Sequence, residues 1–145
     1  MDAIRFYKRE GEFGYLSNFA HHEIDVDGKA WPTVEHYFQA QKFAGTEREE
    51  VIRRTESPME AAKIGRDRSI PIRPDWEDAK EMIMYKALYA KFTQHAGLKE
   101  KLLATGDAEL IEHTPNDSYW ADGGDGTGKN MLGRLLMIIR EKLRR

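Results

Sequence analysis

One carboxylate lies within an aromatic stretch of this chain. The stretch WPTVEHYFQAQKF surrounds Glu35 with four aromatic residues. Burial among apolar side chains removes water from a carboxylate and favours its protonated form, which suits general acid or base catalysis. In a helix, Glu35 would share one face with Gln39 and Lys42, one and two turns away. Two interpretations stay open: a solvated polar stripe, which the spacing alone favours, and a partly buried catalytic carboxylate between Trp31 and Phe38.

A second stretch, NDSYWADGGDGTGKN, combines four glycines with three aspartates. Glycine-rich backbone can bring its amides around an anion, and the N-terminus of a following helix adds positive charge. Gly123, Gly128 and Lys129 even match the spacing G-x-x-x-x-G-K. A nucleotide-hydrolysing P-loop is nevertheless a poor interpretation, because Asn130 replaces the magnesium-binding Ser or Thr and no apolar strand precedes the glycines.

The other residues of this loop favour ligand binding over a plain surface turn. A turn that needed only flexibility would require glycine, but not Asp117, Trp120 and Asp122 as well. We therefore expect a ligand-binding loop. Its candidate phosphate-binding residues are Gly128, Lys129 and Asn130.

A third stretch, KIGRDRSIPIRPDW, contains four cationic residues and two acids, Asp67 and Asp75. Guanidinium groups match phosphate oxygens well, so Arg66 and Arg68 are candidate phosphate-binding residues. Solvated loop charges explain the stretch equally well. Trp76, which ends it, has two interpretations: packing in the core, or a flat platform for a heterocycle.

The composition excludes several classes of function. The 145 residues are 40% hydrophobic and 33% charged, and 23 Lys and Arg against 25 Asp and Glu give a net charge of -2. This balance argues against broad binding to nucleic acids or membranes. The chain has no cysteine, and its five histidines lack metal-ligand spacing, so we expect neither a metal nor a cofactor. No stretch resembles a signal peptide or a membrane span, which predicts a cytoplasmic protein.

The elements that must position these residues are expected to be mostly helices. AIRFY and AELIEH resemble short strands, and HEIDVDGKAW predicts a hairpin that turns at Asp27 and Gly28. A helix is expected to begin near Pro32 or Thr33, with Thr33 as its cap. In SPMEAAKIG, Ser57 begins a capping box for a second helix.

Further helices follow towards the C-terminus. Gly65 fits the stop of the second helix, and Asp75 is expected to cap a long helix from Trp76 to about residue 94. That helix is apolar nearly all round, which predicts a central position. A short helix should end at Gly106, and a last one should begin near Asn130. The predicted fold class is mostly α, a helix-dominated α+β domain over residues 1–145 with a few short antiparallel strands.

Five segments occur in an order that resembles one known family. They are GYLSNFA, DGKAWPTVEHYFQAQKF, SPMEAAKIGRDRS, RPDWE and NDSYWADGGDGTGKNMLGRLLMIIRE. From about Phe6 to Arg140 the chain closely resembles the YbiA-like, or NADAR, family of N-glycosidases. The resemblance implies a compact, mostly helical fold.

The resemblance also implies an activity and a set of site residues. Members of the family hydrolyse N-glycosidic bonds, either of reactive ribosylamino-pyrimidine phosphates in riboflavin synthesis or of ADP-ribose attached to guanine bases. By resemblance, Glu35, Trp76 and Asp117 are the catalytic set, with Trp120 stacking on the ligand. Expected partners are a small ribosylated phosphate, or ADP-ribosylated guanine in nucleotides or nucleic acid.

The chemistry of the bond explains why such residues would be needed. Cleavage of a C1′–N bond builds positive charge on the sugar, which a carboxylate can stabilise while it orients water. Glu35 and Asp117 are the natural pair, and the sequence does not assign their separate roles. Two other functions remain open: a non-catalytic ADP-ribose or nucleotide-phosphate binding module, and an interaction protein whose aromatic residues all lie in the core. Neither the substrate class nor the oligomeric state follows from the sequence.

Overall fold

Helices dominate the computed structural model, which describes residues 2–145. The strands are β1 (Ile4–Phe6), β2 (Ile24–Val26), β3 (Lys29–Trp31) and β4 (Leu110–Glu112), and a 3-10 turn spans Gly14–Leu16. The helices are α1 (Val34–Gln41), α2 (Glu47–Arg53), α3 (Pro58–Arg66), α4 (Trp76–Gln94), α5 (Ala96–Ala104) and α6 (Met131–Arg144). The predicted helix-dominated α+β class is confirmed.

The described chain divides into two compact units. One unit, residues 18–94, contains β2, β3 and α1 to α4. The other contains residues 2–17 and 95–145, and with them β1, β4, α5 and α6. A single domain over residues 1–145 stays a prediction. No helix within residues 2–145 combines the length and the apolar character needed to cross a bilayer.

In the 18–94 unit, the hairpin and the start of α1 form where the sequence predicts them. Strands β2 and β3 pair antiparallel, with Val26 opposite Lys29. Asp27 and Gly28 both have positive φ, 55° and 81°, as a two-residue turn between twisted strands requires. The hydroxyl of Thr33 accepts the backbone N–H of His36 at 3.1 Å and so caps α1.

The central helix of this unit is α1 rather than α4. Helix α1 contacts α2, α3 and α4, and its residues from Val34 to Ala40 are all buried. The prediction that α4 is wrapped on all sides is wrong, because Met82 is 68% exposed. Only seven of the 19 residues of α4 are buried, so much of its surface faces solvent.

Gly65 has a packing role instead of the predicted helix stop. Helix α3 begins as expected, with the Ser57 hydroxyl accepting the N–H of Glu60 at 3.1 Å, but it continues to Arg66. A Cβ atom at Gly65 would lie 2.0 Å from Oε1 of Gln39 and 2.7 Å from its Cβ. The absence of a side chain at Gly65 therefore lets α3 pack directly over the Gln39 side chain of α1.

In the other unit, β1 and β4 form a parallel pair, with Ile4 opposite Leu110. The expectation of antiparallel strands holds for the hairpin but not for this pair. Parallel pairing needs a long connection, and residues 7–109 supply it. Helix α6 packs on β4 and α5. Its apolar residues Leu132, Leu135, Leu136 and Ile139 follow helical spacing and are buried.

We predict that Gly65→Ala lowers the free energy of unfolding by roughly 1–3 kcal/mol, because the new methyl group would overlap Gln39. Gly97→Ala in α5 is the matched control, since a Cβ atom there meets nothing within 4 Å. That variant should be up to about 1 kcal/mol more stable than the wild type. Urea denaturation of both variants measures the difference, and equal stability of the two would contradict the packing argument.

Candidate active site

The polar stripe of α1 is buried. Glu35, Gln39 and Lys42 are only 6%, 3% and 5% exposed. The interpretation as a solvated stripe, which the sequence alone favoured, is therefore wrong. Burial of these three groups comes from tertiary packing, with α3 covering this part of α1 at Gly65. A buried carboxylate and a buried amine must each be matched by polar neighbours.

Gln39 supplies one such neighbour to Glu35. Its Nε2 donates to Oε2 of Glu35 at 2.8 Å, across one turn of α1. The backbone N–H of Glu35, one of the free donors in the first helical turn, donates to the carbonyl of Asn18 at 3.2 Å. The orientation of the Glu35 carboxylate is thus fixed by the helix itself and by a side chain one turn away.

Lys42, the third residue of the stripe, is a candidate functional residue that its sequence context did not single out. Its ammonium donates to the carbonyl of Gly65 at 3.3 Å. The same Nζ lies 5.9 Å from the ring centre of Phe38 and 5.6 Å from that of Trp76. The available signal was its spacing of seven residues from Glu35 in an aromatic-rich helix.

The pKa of Lys42 is lowered to about 8. Burial is the largest cause, and the positive charge of Arg68 adds to it. Glu35 opposes the shift, whereas Arg66 and Lys80 add smaller contributions that lower the pKa further. The amine is therefore easier to deprotonate than an ordinary lysine.

Trp76 begins α4 and is 5% exposed. Its ring packs against Phe38 with the ring centres 5.1 Å apart and the planes at 61°. The Lys42 ammonium also lies over the Trp76 ring, so the indole packs against both Phe38 and Lys42. The core-packing interpretation accounts for these contacts, and a platform role for Trp76 stays a prediction.

Arg66 and Arg68 follow at the end of α3 and are exposed. One guanidinium nitrogen of Arg68 donates to the carbonyl of Gly65 at 2.9 Å, so Arg68 and Lys42 share an acceptor. The 18–94 unit thus brings together a buried carboxylate, a buried amine, an indole and two exposed guanidinium groups. The contacts that connect them run through Lys42 and Gly65.

In the other unit, Asp117 organises the start of the 116–130 loop. Its Oδ1 accepts the backbone N–H groups of Tyr119 and Trp120, each at 2.8 Å. The two aromatic rings meet edge to face, with centres 5.0 Å apart. Trp120 is half-buried, so part of its indole is accessible to a ligand.

Asp122 holds the rest of this loop together. Its buried carboxylate accepts the N–H of Thr114 at 3.1 Å, the N–H of Gly124 at 2.8 Å, and Nδ1 of His113 at 2.7 Å. Burial alone would raise the pKa of Asp122, but the bonds from His113, Gly124 and Thr114 outweigh it and hold that pKa below its ordinary value. Asp122 is therefore a structural acid.

The backbone amides of the loop are occupied by the loop itself. Gly128 and Lys129 donate their N–H groups to the carbonyls of Asp122 and Ser118, both at 2.8 Å, and Asn130 donates to Ala121 at 3.0 Å. These bonds consume the donors that were expected to surround a phosphate. Backbone donors of Gly128 and Asn130 therefore do not support an anion site in this conformation.

The side chain of Asn130 is also engaged. Its Oδ1 accepts the N–H of Glu112 at 3.0 Å, and its Nδ2 donates to the carbonyl of Leu110 at 2.9 Å. Asn130 has a positive φ of 53°, which asparagine tolerates better than most residues. It therefore ties the loop to β4. Lys129 is exposed, with its ammonium 5.2 Å from the ring centre of Tyr119.

His36 is buried and structural. Its Nε2 lies 3.1 Å from the carbonyl of Thr55, which can only accept, so this nitrogen carries the proton. Nδ1 then accepts the hydroxyl of Thr33 at 2.8 Å. Burial lowers the pKa of His36. Within residues 2–145, no group of three or more His, Asp or Glu side chains is arranged to hold a metal ion.

We predict that Lys42 makes stability depend on pH in the alkaline range. Its pKa is about 8 in the folded protein against 10.5 ordinarily, so the unfolded chain binds more protons between these values. Its contribution to the free energy of unfolding therefore rises with pH across that window. Relative to Lys42→Met, the wild type should gain roughly 1–3 kcal/mol between pH 7 and pH 10. Urea denaturation at both pH values tests this, with Lys63→Met as the exposed control, and an unchanged difference would contradict it.

We predict that Asn130→Ala lowers the free energy of unfolding by roughly 2–4 kcal/mol, since two bonds to β4 are lost and alanine must adopt a positive φ. Lys129→Ala, one residue earlier on an exposed side chain, should stay within about 0.5 kcal/mol of the wild type. Chemical denaturation compares the two. A fully stable Asn130→Ala variant would return Asn130 to the phosphate-binding candidates.

Comparisons with known proteins agree with the resemblance seen in the sequence. The NADAR domain matches residues 5–144. N-glycosidase YbiA of Escherichia coli (strain K12) is 60% identical over 140 residues, which cover 97% of this chain and 88% of that protein. Riboflavin biosynthesis protein VVA0006 of Vibrio vulnificus (strain YJ016) is 44% identical over 140 residues, covering 97% of this chain and 38% of that protein.

A solved structure is similar over the same range. The NMR structure of E. coli YbiA matches with a TM-score of 0.91 at 59% identity, covering 99% of this chain and 85% of that chain. Sequence and structure thus agree over nearly the full length. The chain therefore belongs to the NADAR domain family.

Proposed function

We propose that this protein is an N-glycosidase that hydrolyses the bond between a ribose carbon and a heterocycle or its amino group. Membership of the NADAR domain family and the high identity to N-glycosidase YbiA support this activity. The observation that carries it is the Glu35 carboxylate, buried in the centre of its unit and oriented by Gln39. The proposed substrates are ribosylamino-pyrimidine phosphates of riboflavin biosynthesis, in agreement with the name of the V. vulnificus relative.

The proposed reaction replaces the C1′–N bond with a C1′–O bond from water. As the nitrogen departs, the sugar gains oxocarbenium character. Glu35 stabilises this charge and orients or deprotonates the attacking water. The departing nitrogen takes a proton, so the products are ribose 5-phosphate and the free aminopyrimidine. Each step uses only groups of the protein and water.

Asp117 is the proposed partner of Glu35. Its Oδ1 accepts two backbone N–H groups, which hold the carboxylate in one orientation. The bonds also fix Oδ2, which can accept a ribose hydroxyl. We therefore assign Asp117 to the sugar hydroxyls and Glu35 to C1′. The indoles of Trp76 and Trp120 are the proposed contacts for the heterocycle, and the half-exposed Trp120 suits this role better.

The 5′-phosphate is assigned to Arg66 and Arg68, with Lys42 nearby. Both arginines are exposed, and their charges act on the buried Lys42 amine, so an anion among them would relieve repulsion between cations. Lys129 is a second candidate because its ammonium is exposed. Gly128 and Asn130 are left out of this assignment, since the loop and β4 use their donors.

We expect Glu35→Gln to lower kcat for base release by about 10²–10³-fold or more, because the amide keeps the shape of the side chain and removes its charge. Glu100→Gln, at an exposed position of α5, is the control and should behave like the wild type. Release of the free base is followed by mass spectrometry at matched protein stability. Near-normal turnover by Glu35→Gln would remove Glu35 from the mechanism.

The same assay compares the proposed substrate class with its alternatives. The protein is incubated separately with a ribosylamino-pyrimidine phosphate and with ADP-ribosylated guanosine. Release of aminopyrimidine supports the proposal. Release of guanosine alone would instead identify the activity as removal of ADP-ribose from guanine. Saturable binding of both ligands without any release would identify a binding module.

A further inference from the structure

The amide of Gln39 has one bonded end and one end without a hydrogen bond. Its Nε2 donates to Oε2 of Glu35 at 2.8 Å. Its Oε1 is buried and has no hydrogen-bond partner within residues 2–145. A buried carbonyl oxygen without a donor is destabilising, so this arrangement needs an explanation beyond stability.

The position of Gly65 explains how the arrangement is enforced. Oε1 of Gln39 lies where a Cβ atom of residue 65 would otherwise be, only 2.0 Å from its ideal position. The oxygen is therefore packed against backbone carbon, to which it can make at most a weak C–H contact. With Oε1 on that side, Nε2 must face Glu35. The reversed amide would bring its carbonyl oxygen against a carboxylate oxygen, which is repulsive when Glu35 is ionised.

We propose that Gln39 is a positioning residue for Glu35 and that Gly65 provides the space this role requires. The Nε2 donor fixes the rotamer of the carboxylate and favours its ionised form inside a buried site. The orphaned Oε1 is the stability cost of holding the donor in that orientation. Gln39 acts through Glu35 and does not touch the substrate. The inference rests on the proposed function, because it matters for catalysis only if Glu35 does.

The test compares Gln39→Leu with the wild type across pH. Leucine keeps much of the volume and removes the donor, so we expect kcat to fall about 10- to 100-fold while KM changes less than about threefold. The acid limb of the kcat profile should move to higher pH by about one unit, since a bond to a charged acceptor is worth about a tenfold preference for the ionised form.

Gln39→Glu provides a second variant with a stronger expected shift. Two carboxylates in hydrogen-bond contact share a proton, so the acid limb should move further than in Gln39→Leu. Gln41→Leu, at a half-buried position on the same helix, is the matched control and should keep both kcat and the acid limb. Urea denaturation of each variant separates loss of fold from loss of rate.

The outcomes distinguish this inference from the proposed function. Absence of base release by the wild type defeats the proposed function. Full activity in Glu35→Gln leaves that function standing but removes Glu35 from the mechanism, and this inference with it. An inactive Glu35→Gln variant beside a Gln39→Leu variant with wild-type kcat and acid limb overturns the positioning role alone. A fall in kcat without movement of the acid limb in either Gln39 variant also overturns it, since that pattern indicates a structural role.

Discussion

The removal of the Glu35 carboxylate from water is the constraint on which the rest of the site depends. A buried negative charge is tolerated only where donors and cations replace its hydration. Here the replacement comes from α1 itself: the Gln39 amide lies one turn away, and the Lys42 charge acts from two turns away. The helix that presents the acid therefore also supplies its polar environment, and the packing of α3 closes that environment at Gly65.

Local signals in the sequence were enough to predict several elements, because the conformation of each depends on residues that are neighbours in the chain. The turn was predictable because Asp27 and Gly28 are residue types that tolerate positive φ. The helix starts were predictable because the hydroxyls of Thr33 and Ser57 can cap a helix. Helix α2, Glu47–Arg53, was not predicted, since only Ile52 of its seven residues is buried and it has almost no apolar periodicity. The parallel β1–β4 pair joins segments far apart in sequence, where no local signal exists.

The candidate site was predictable in its residue types but not in its environment. The sequence located Glu35 and its stripe, yet burial of the stripe depends on Gly65, which lies in a different helix. The hydrogen bonds inside the glycine loop were not predictable for a related reason. Spacing indicates that amides could surround an anion, but it does not reveal that carbonyls of Ser118, Ala121 and Asp122 already accept those amides.

The order of the chain through the two units has a consequence for how the protein is made. Residues 18–94 form a continuous stretch, whereas the other unit combines residues 2–17 with residues 95–145. During synthesis from the N-terminus, all residues of the continuous unit are made before β4, the strand that pairs with β1. The helix that carries Glu35 therefore belongs to the unit that can fold first on the ribosome. The loop that carries Asp117 belongs to the unit that can fold only after the C-terminal residues have been made.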